Sequence, residues 1–98
     1  MRKVFITNKG GHDYSAAERF GELIVCSEGL VSKYNTSQMA RIFQDSMKDS
    51  HKDDLILLTS LSTICSIASA FFSSKHGRLN LLIYKDGGYV ERTIVFSD

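Results

Sequence analysis

Two short stretches of this chain concentrate the residue types that hold anions. The first, Thr7-Asn8-Lys9-Gly10-Gly11-His12-Asp13-Tyr14-Ser15, joins a lysine, two adjacent glycines, a histidine, an aspartate and two hydroxyls. Adjacent glycines let backbone amides approach a ligand closely, and Lys9 and His12 add positive charge, which is the chemistry of a phosphate cradle. The second, Thr59-Ser60-Leu61-Ser62-Thr63, offers the hydroxyls of Thr59, Ser60 and Ser62 just before a helical pattern, whose first amides can also take an anion. Tyr14 supplies an aromatic face for a base, and Glu28 a carboxylate of the kind that binds ribose hydroxyls. The candidate ligand-binding set is therefore Asn8, Lys9, Gly10, Gly11, His12, Asp13, Tyr14, Glu28, Thr59, Ser60 and Ser62. The same residues have a plainer use: Gly-Gly turns a chain, and Asp13, Ser15 and the second hydroxyl run can cap helices.

The motifs stop short of a named reaction. Neither stretch has the G-x-G-x-x-G or G-x-x-x-x-G-K-S spacing, so dinucleotide or P-loop chemistry is not implied. A serine nucleophile built from Ser60, His12 and Asp13 or Glu28 lacks the G-x-S-x-G elbow. His12, His51 and His76 lie far apart in sequence with few companion ligands, so no metal is expected. No cofactor or catalytic residue is assigned.

These stretches need elements to position them. Lys3 to Thr7 reads as a first strand, placing the Gly-Gly stretch at its carboxyl end. Ser15-Ala16-Ala17-Glu18 matches a capping box opening a very short helix that Gly21 ends. Leu23 to Cys26 is a continuous apolar run, expected to be a strand covered on both faces. Asn35 and Gln38 signal a second capped helix, with Met39, Ile42, Phe43 and Met47 at helical spacing. Leu55 to Leu58 reads as a central strand, and Thr63 to Lys75 as a buried helix stopped at His76-Gly77. Leu79 to Tyr84 and Tyr89 to Phe96 then form a hairpin through Asp86-Gly87-Gly88.

Strands alternating with helices require a parallel sheet, to which the hairpin adds one antiparallel edge. The expected fold is α/β: a small three-layer, Rossmann-like or flavodoxin-like, mostly parallel sheet ordered 2-1-3-4-5 with a C-terminal antiparallel hairpin. The loops following the first and third strands then face each other where the strand order reverses, which is where such sheets bind ligands.

Composition agrees with one folded domain spanning residues 1–98. Of these residues 43% are apolar and 23% charged, with a formal net charge of +1. Scattered basic residues give no electrostatic footprint for duplex nucleic acid or an anionic membrane surface. The longest apolar runs fall short of the roughly 20 residues needed to span a bilayer, and Met1-Arg2-Lys3 leads into a strand-like run instead of a signal peptide. A cytoplasmic protein is expected. Cys26 and Cys65 lie in apolar segments without metal or redox spacing and read as reduced, buried thiols.

Through Gly10-Gly11-His12-Asp13-Tyr14-Ser15 and Lys75-His76-Gly77-Arg78-Leu79-Asn80, the chain resembles small bacteriophage α/β proteins of uncharacterised function. The resemblance implies a host-cytoplasm setting and a role in host takeover or counter-defence. Three functions follow in order of preference. The first is a non-catalytic binder of a phosphate-bearing or nucleotide-derived small molecule. The second is a protein-interaction module that inhibits a host enzyme, using the exposed last strand, which also offers an edge for a homodimer. The third is a small nucleotide-processing hydrolase.

Overall fold

The computed structural model describes residues 2–30 and 32–96. Strands β1 (Lys3–Ile6), β2 (Glu22–Val25), β3 (Leu55–Leu57), β4 (Arg78–Lys85) and β5 (Gly88–Val95) form one sheet in the order β2-β1-β3-β4-β5. The first four run parallel, and β5 pairs antiparallel with β4. The chain is thus α/β with a C-terminal hairpin, in the strand order the sequence suggests.

Two helices, α1 (Thr36–Ser46) and α2 (Ser62–His76), cover one face. There Met39, Phe43 and Met47 of α1 and Ile64, Ala68 and Phe72 of α2 meet Phe5, Ile56 and Leu79 of the sheet. Fully burying an aliphatic or aromatic side chain contributes about 1.5–3 kcal/mol, so this layer is the main source of stability. The opposite face, made by Val4, Ile6, Leu55, Leu57 and Leu82, packs on Tyr14 and Ala17. Its cover is a six-residue 3-10 helix, Ser15–Phe20, and not an α-helix.

Local chemistry explains each boundary. Asn35 caps α1 as its spacing predicts: Gln38 donates its amide to Asn35 Oδ1 at 3.2 Å, and Asn35 Nδ2 donates to Gln38 Oε1 at 3.1 Å. Lys75 reaches back from α2 to donate to the Met47 carbonyl at 2.9 Å, closing the end of α1. Gly77, at φ 70°, takes the left-handed conformation that stops α2. Asp86 and Gly87, at φ 51° and 82°, make the two-residue hairpin turn, whose positive φ angles match the twist of the flanking strands.

Three local expectations are corrected. The Ser15/Glu18 capping box does not form, because the segment winds as a 3-10 helix starting at Ser15. Its first amide is instead taken by Asp13, whose Oδ1 accepts from Ser15 N at 2.9 Å. β2 is not covered on both faces: it is an edge strand, and Val25 is 38% exposed. The Thr59–Thr63 hydroxyls do not cap α2, whose N-cap is Leu61 with no side-chain bond. Gly21 has a second role besides ending the 3-10 helix, since a Cβ there would collide with the Arg2 carbonyl. That carbonyl accepts from Glu22 N at 2.8 Å as β2 joins β1.

Buried polar groups fasten the amino-terminal edge of the sheet. Asp54 Oδ1 accepts from Lys3 N at 2.9 Å and Oδ2 from His51 N at 2.7 Å. Asn80 Nδ2 donates to the carbonyls of Lys52 and Asp54 at 2.7 and 2.8 Å, while its Oδ1 accepts from the Thr93 hydroxyl at 2.9 Å. Both cysteines are free thiols: Cys65 is buried and Cys26 half-buried, with burial pushing the Cys26 thiol pKa up.

Candidate functional site

The site begins at the carboxyl ends of β1 and β3, which are neighbours in the sheet but whose chains leave toward opposite faces. β1 leads to the 3-10 helix and β3 to α2, so a crevice opens between the two loops. Its floor is a buried polar cluster. The Thr7 and Thr59 hydroxyls lie 2.9 Å apart, and Thr7 Oγ1 also donates to the Leu57 carbonyl at 3.4 Å. Cys65, one turn into α2, accepts from Thr59 N at 3.3 Å and donates to Thr59 O at 3.4 Å. These bonds tie the start of the second loop to the end of β1, and Thr59 spends its hydroxyl on the floor.

Above this floor lies a cleft of about 740 Å3. That volume falls within the range of about 300–1,000 Å3 usual for small-molecule sites. Asn8, Gly10, Gly11, His12, Asp13 and Tyr14 form one wall, Leu58, Thr59, Ser60 and Leu61 the second, and Ile83, Tyr84 and Tyr89 of the hairpin the third. Tyr14 is 7% exposed, and its phenol accepts from Gly10 N at 3.3 Å, holding the glycine pair over the cleft. Tyr84 and Tyr89 stand opposite each other across β4 and β5, with ring centroids 5.7 Å apart and planes at 77°, forming an aromatic corner. His12 meets the edge of Tyr14 at 6.3 Å between centroids.

Not every candidate residue faces this cleft. Lys9 donates its amide to Ser27 O at 2.8 Å, accepts from Gly29 N at 3.1 Å and bridges to Glu28. This pairing extends the β1–β2 ladder and carries Lys9 to a smaller hollow of about 340 Å3 that it shares with Glu18, Leu23 and Val25. Glu28 is held in that bridge, and Ser62 is the first residue of α2; neither lines the larger cleft. Asn8 is fixed by its neighbours: Nδ2 donates to Gly29 O at 3.1 Å, and Oδ1 lies 2.7 Å from the Ser27 hydroxyl.

The glycine pair is not imposed by the fold. Neither Gly10 nor Gly11 has a left-handed φ, and a Cβ on either would meet no atom within 4 Å. The hairpin wall, by contrast, was missed in the sequence reading. Its signal was present, because a two-residue turn at Asp86-Gly87 places Tyr84 opposite Tyr89.

Electrostatically, among the described residues the lining holds one carboxylate and no lysine or arginine. Hydrogen bonds from Ser15 hold the Asp13 carboxyl below its usual pKa range. Burial pushes the Tyr89 phenol up, with Tyr14, Tyr84 and Asp13 adding to the effect. Among the described residues no group of His, Cys, Asp and Glu could hold a metal ion, and no helix is long and apolar enough to cross a membrane.

No curated protein and no solved structure matches the chain. A family model does match, over residues 2–94, a span that takes in β1 to β4, all of β5 but its last residue, both helices and every residue named as lining the cleft. The chain belongs to the Phage Pam3 gp32-like protein family.

Proposed function

We propose that this protein binds a nucleotide-derived small molecule in the cleft at the carboxyl ends of β1 and β3, without catalysing a reaction on it. The observation that carries the reading is the joining, in one cleft, of an aromatic corner with open backbone and hydroxyl groups. Tyr84 and Tyr89 offer faces for a base. The Gly11 amide, the Ser60 hydroxyl and the side-chain-uncapped start of α2 offer donors for the sugar and phosphate end.

The fold reading that goes with it is a reduced flavodoxin-like, doubly wound arrangement with the 3-10 helix as its third layer. Right-handed crossovers running in opposite directions from β1 and β2 place their connections on opposite faces, as the two core halves require. Since the chain belongs to a phage family, the reading places its action inside the host cell.

The test is titration calorimetry with the four common nucleoside monophosphates. At least one binds, and Tyr84→Ala weakens it about 5- to 150-fold, the equivalent of the roughly 1–3 kcal/mol of one base–aromatic stack. Tyr84 is 65% exposed, so the substitution leaves the core intact. Absence of binding by all four, or an affinity indifferent to Tyr84→Ala, overturns the proposal.

A second reading is favoured by a separate feature. β5 is an uncovered edge strand, with Ile94, Val95 and Phe96 exposed at its end. Such an edge suits strand addition by a partner protein or a second copy.

A further inference from the structure

Resting on the nucleotide reading, we infer that the cleft selects a planar aromatic ligand with little negative charge, a nucleoside or nucleoside monophosphate, and discriminates against nucleoside triphosphates. The inference comes from a charge inventory of the cleft and its surroundings. Among the described residues the lining contains no lysine or arginine, and its one fixed charge is the Asp13 carboxylate. Asp13 lines the cleft in the same wall as Gly10 and Gly11, where the loop also borders the smaller hollow.

The nearest cation in sequence, Lys9, is removed from this account by backbone geometry. Its amide and carbonyl are both committed to the Ser27–Gly29 segment, and Lys9 lines the smaller hollow with Glu18 and not the cleft. What positive potential remains is the His12 imidazole, when protonated, and the amino terminus of α2, equivalent to roughly half a charge. That can offset part of the charge of one phosphate group. It cannot offset the further charges of a triphosphate, which would be held in the same cleft as Asp13.

Each additional negative charge held a few ångströms from a carboxylate in well-hydrated surroundings weakens binding about fivefold. Two further phosphates therefore impose a penalty on the order of tenfold or more. Asp13→Asn should relieve the part due to Asp13 while preserving the loop, because the asparagine Oδ1 can still accept from Ser15 N as Asp13 does at 2.9 Å.

The experiment is calorimetry on the full chain at low and high salt with adenosine, AMP, ATP and inorganic phosphate, repeated with the other bases. For whichever base binds, the expected result is that the nucleoside and monophosphate bind at least about tenfold tighter than the triphosphate. The gap narrows at least about fivefold in Asp13→Asn and shrinks as salt rises. A triphosphate that binds as tightly as the monophosphate overturns this inference but leaves the nucleotide reading standing, as does a gap indifferent to Asp13→Asn. If no nucleoside or nucleotide binds, both fall. Inorganic phosphate binding as well as AMP would mean that the aromatic corner contributes nothing, and would overturn the inference as well.

Discussion

Replacing Gly10 and Gly11 with alanine separates a ligand loop from a structural turn. If the pair existed to turn the chain, at least one glycine would need a left-handed φ or would lie against backbone that a methyl could not clear. Neither does, and a Cβ at either position meets nothing within 4 Å. At positions whose conformation alanine can adopt, Gly→Ala stabilises a protein by about 0.4–1 kcal/mol, chiefly by reducing the freedom of the unfolded chain. For a chain of this size that is a rise in melting temperature of roughly 2–8 °C per substitution. Both residues line the cleft, so each added methyl occupies ligand space. Thermal and urea unfolding of Gly10→Ala, Gly11→Ala and the double variant should therefore show equal or greater stability, while calorimetry shows weaker nucleoside monophosphate binding. A loss of more than about 1 kcal/mol in either single variant would mean that the backbone needs glycine there, and the argument that the pair is free to serve a ligand would be refuted.

Two further outcomes test the frame that holds the cleft. Asn80→Leu removes the donor to the Lys52 and Asp54 carbonyls and the acceptor for Thr93 in a buried setting, and should lower stability by about 2–3 kcal/mol in urea unfolding; a change under about 0.5 kcal/mol would show those carbonyls to be satisfied without it. Burial, with Lys75 close by, holds the His76 pKa below its ordinary value, so the unfolded chain binds the proton more readily and stability falls as pH drops from about 7 toward 5. In His76→Gln that part of the pH dependence should disappear, and an identical slope in both proteins would exclude His76 as its source.

The parts of the fold written in the sequence are those governed by apolar runs and crossover rules. Leu55-Ile56-Leu57 reads as a central strand and is one, and the alternation of strands with connections of unequal length leaves few arrangements other than the one observed. Capping at Asn35 was equally legible, because it depends on residues three apart. Ser15 and Glu18 carry the same signature, yet the segment winds as a 3-10 helix whose first amide goes to Asp13, so the box does not form. The site was legible as an address more than as a residue set. Loops after β1 and β3 had to meet, but which side chains turn inward depends on backbone pairing. Lys9 is drawn into a bridge with Glu28 that no composition rule reveals.

The hairpin shows most clearly how the cleft depends on register. Successive residues of a strand face opposite sides of the sheet, so a slip of one position would exchange every inward and outward side chain of β5. The turn at Asp86-Gly87, with both φ angles positive, fixes Lys85 opposite Gly88 and therefore Tyr84 opposite Tyr89. The next pairs inward put Leu82 in the core opposite Glu91, whose carboxylate accepts from Arg2 at 2.7 Å, and Asn80 opposite Thr93. Three consecutive pairs on one face of the sheet thus run from the aromatic corner, through an ion pair, to a buried amide network. Each pair has partners outside the hairpin that accept only this register, so the aromatic wall is positioned by the same contacts that hold the hairpin to the rest of the sheet.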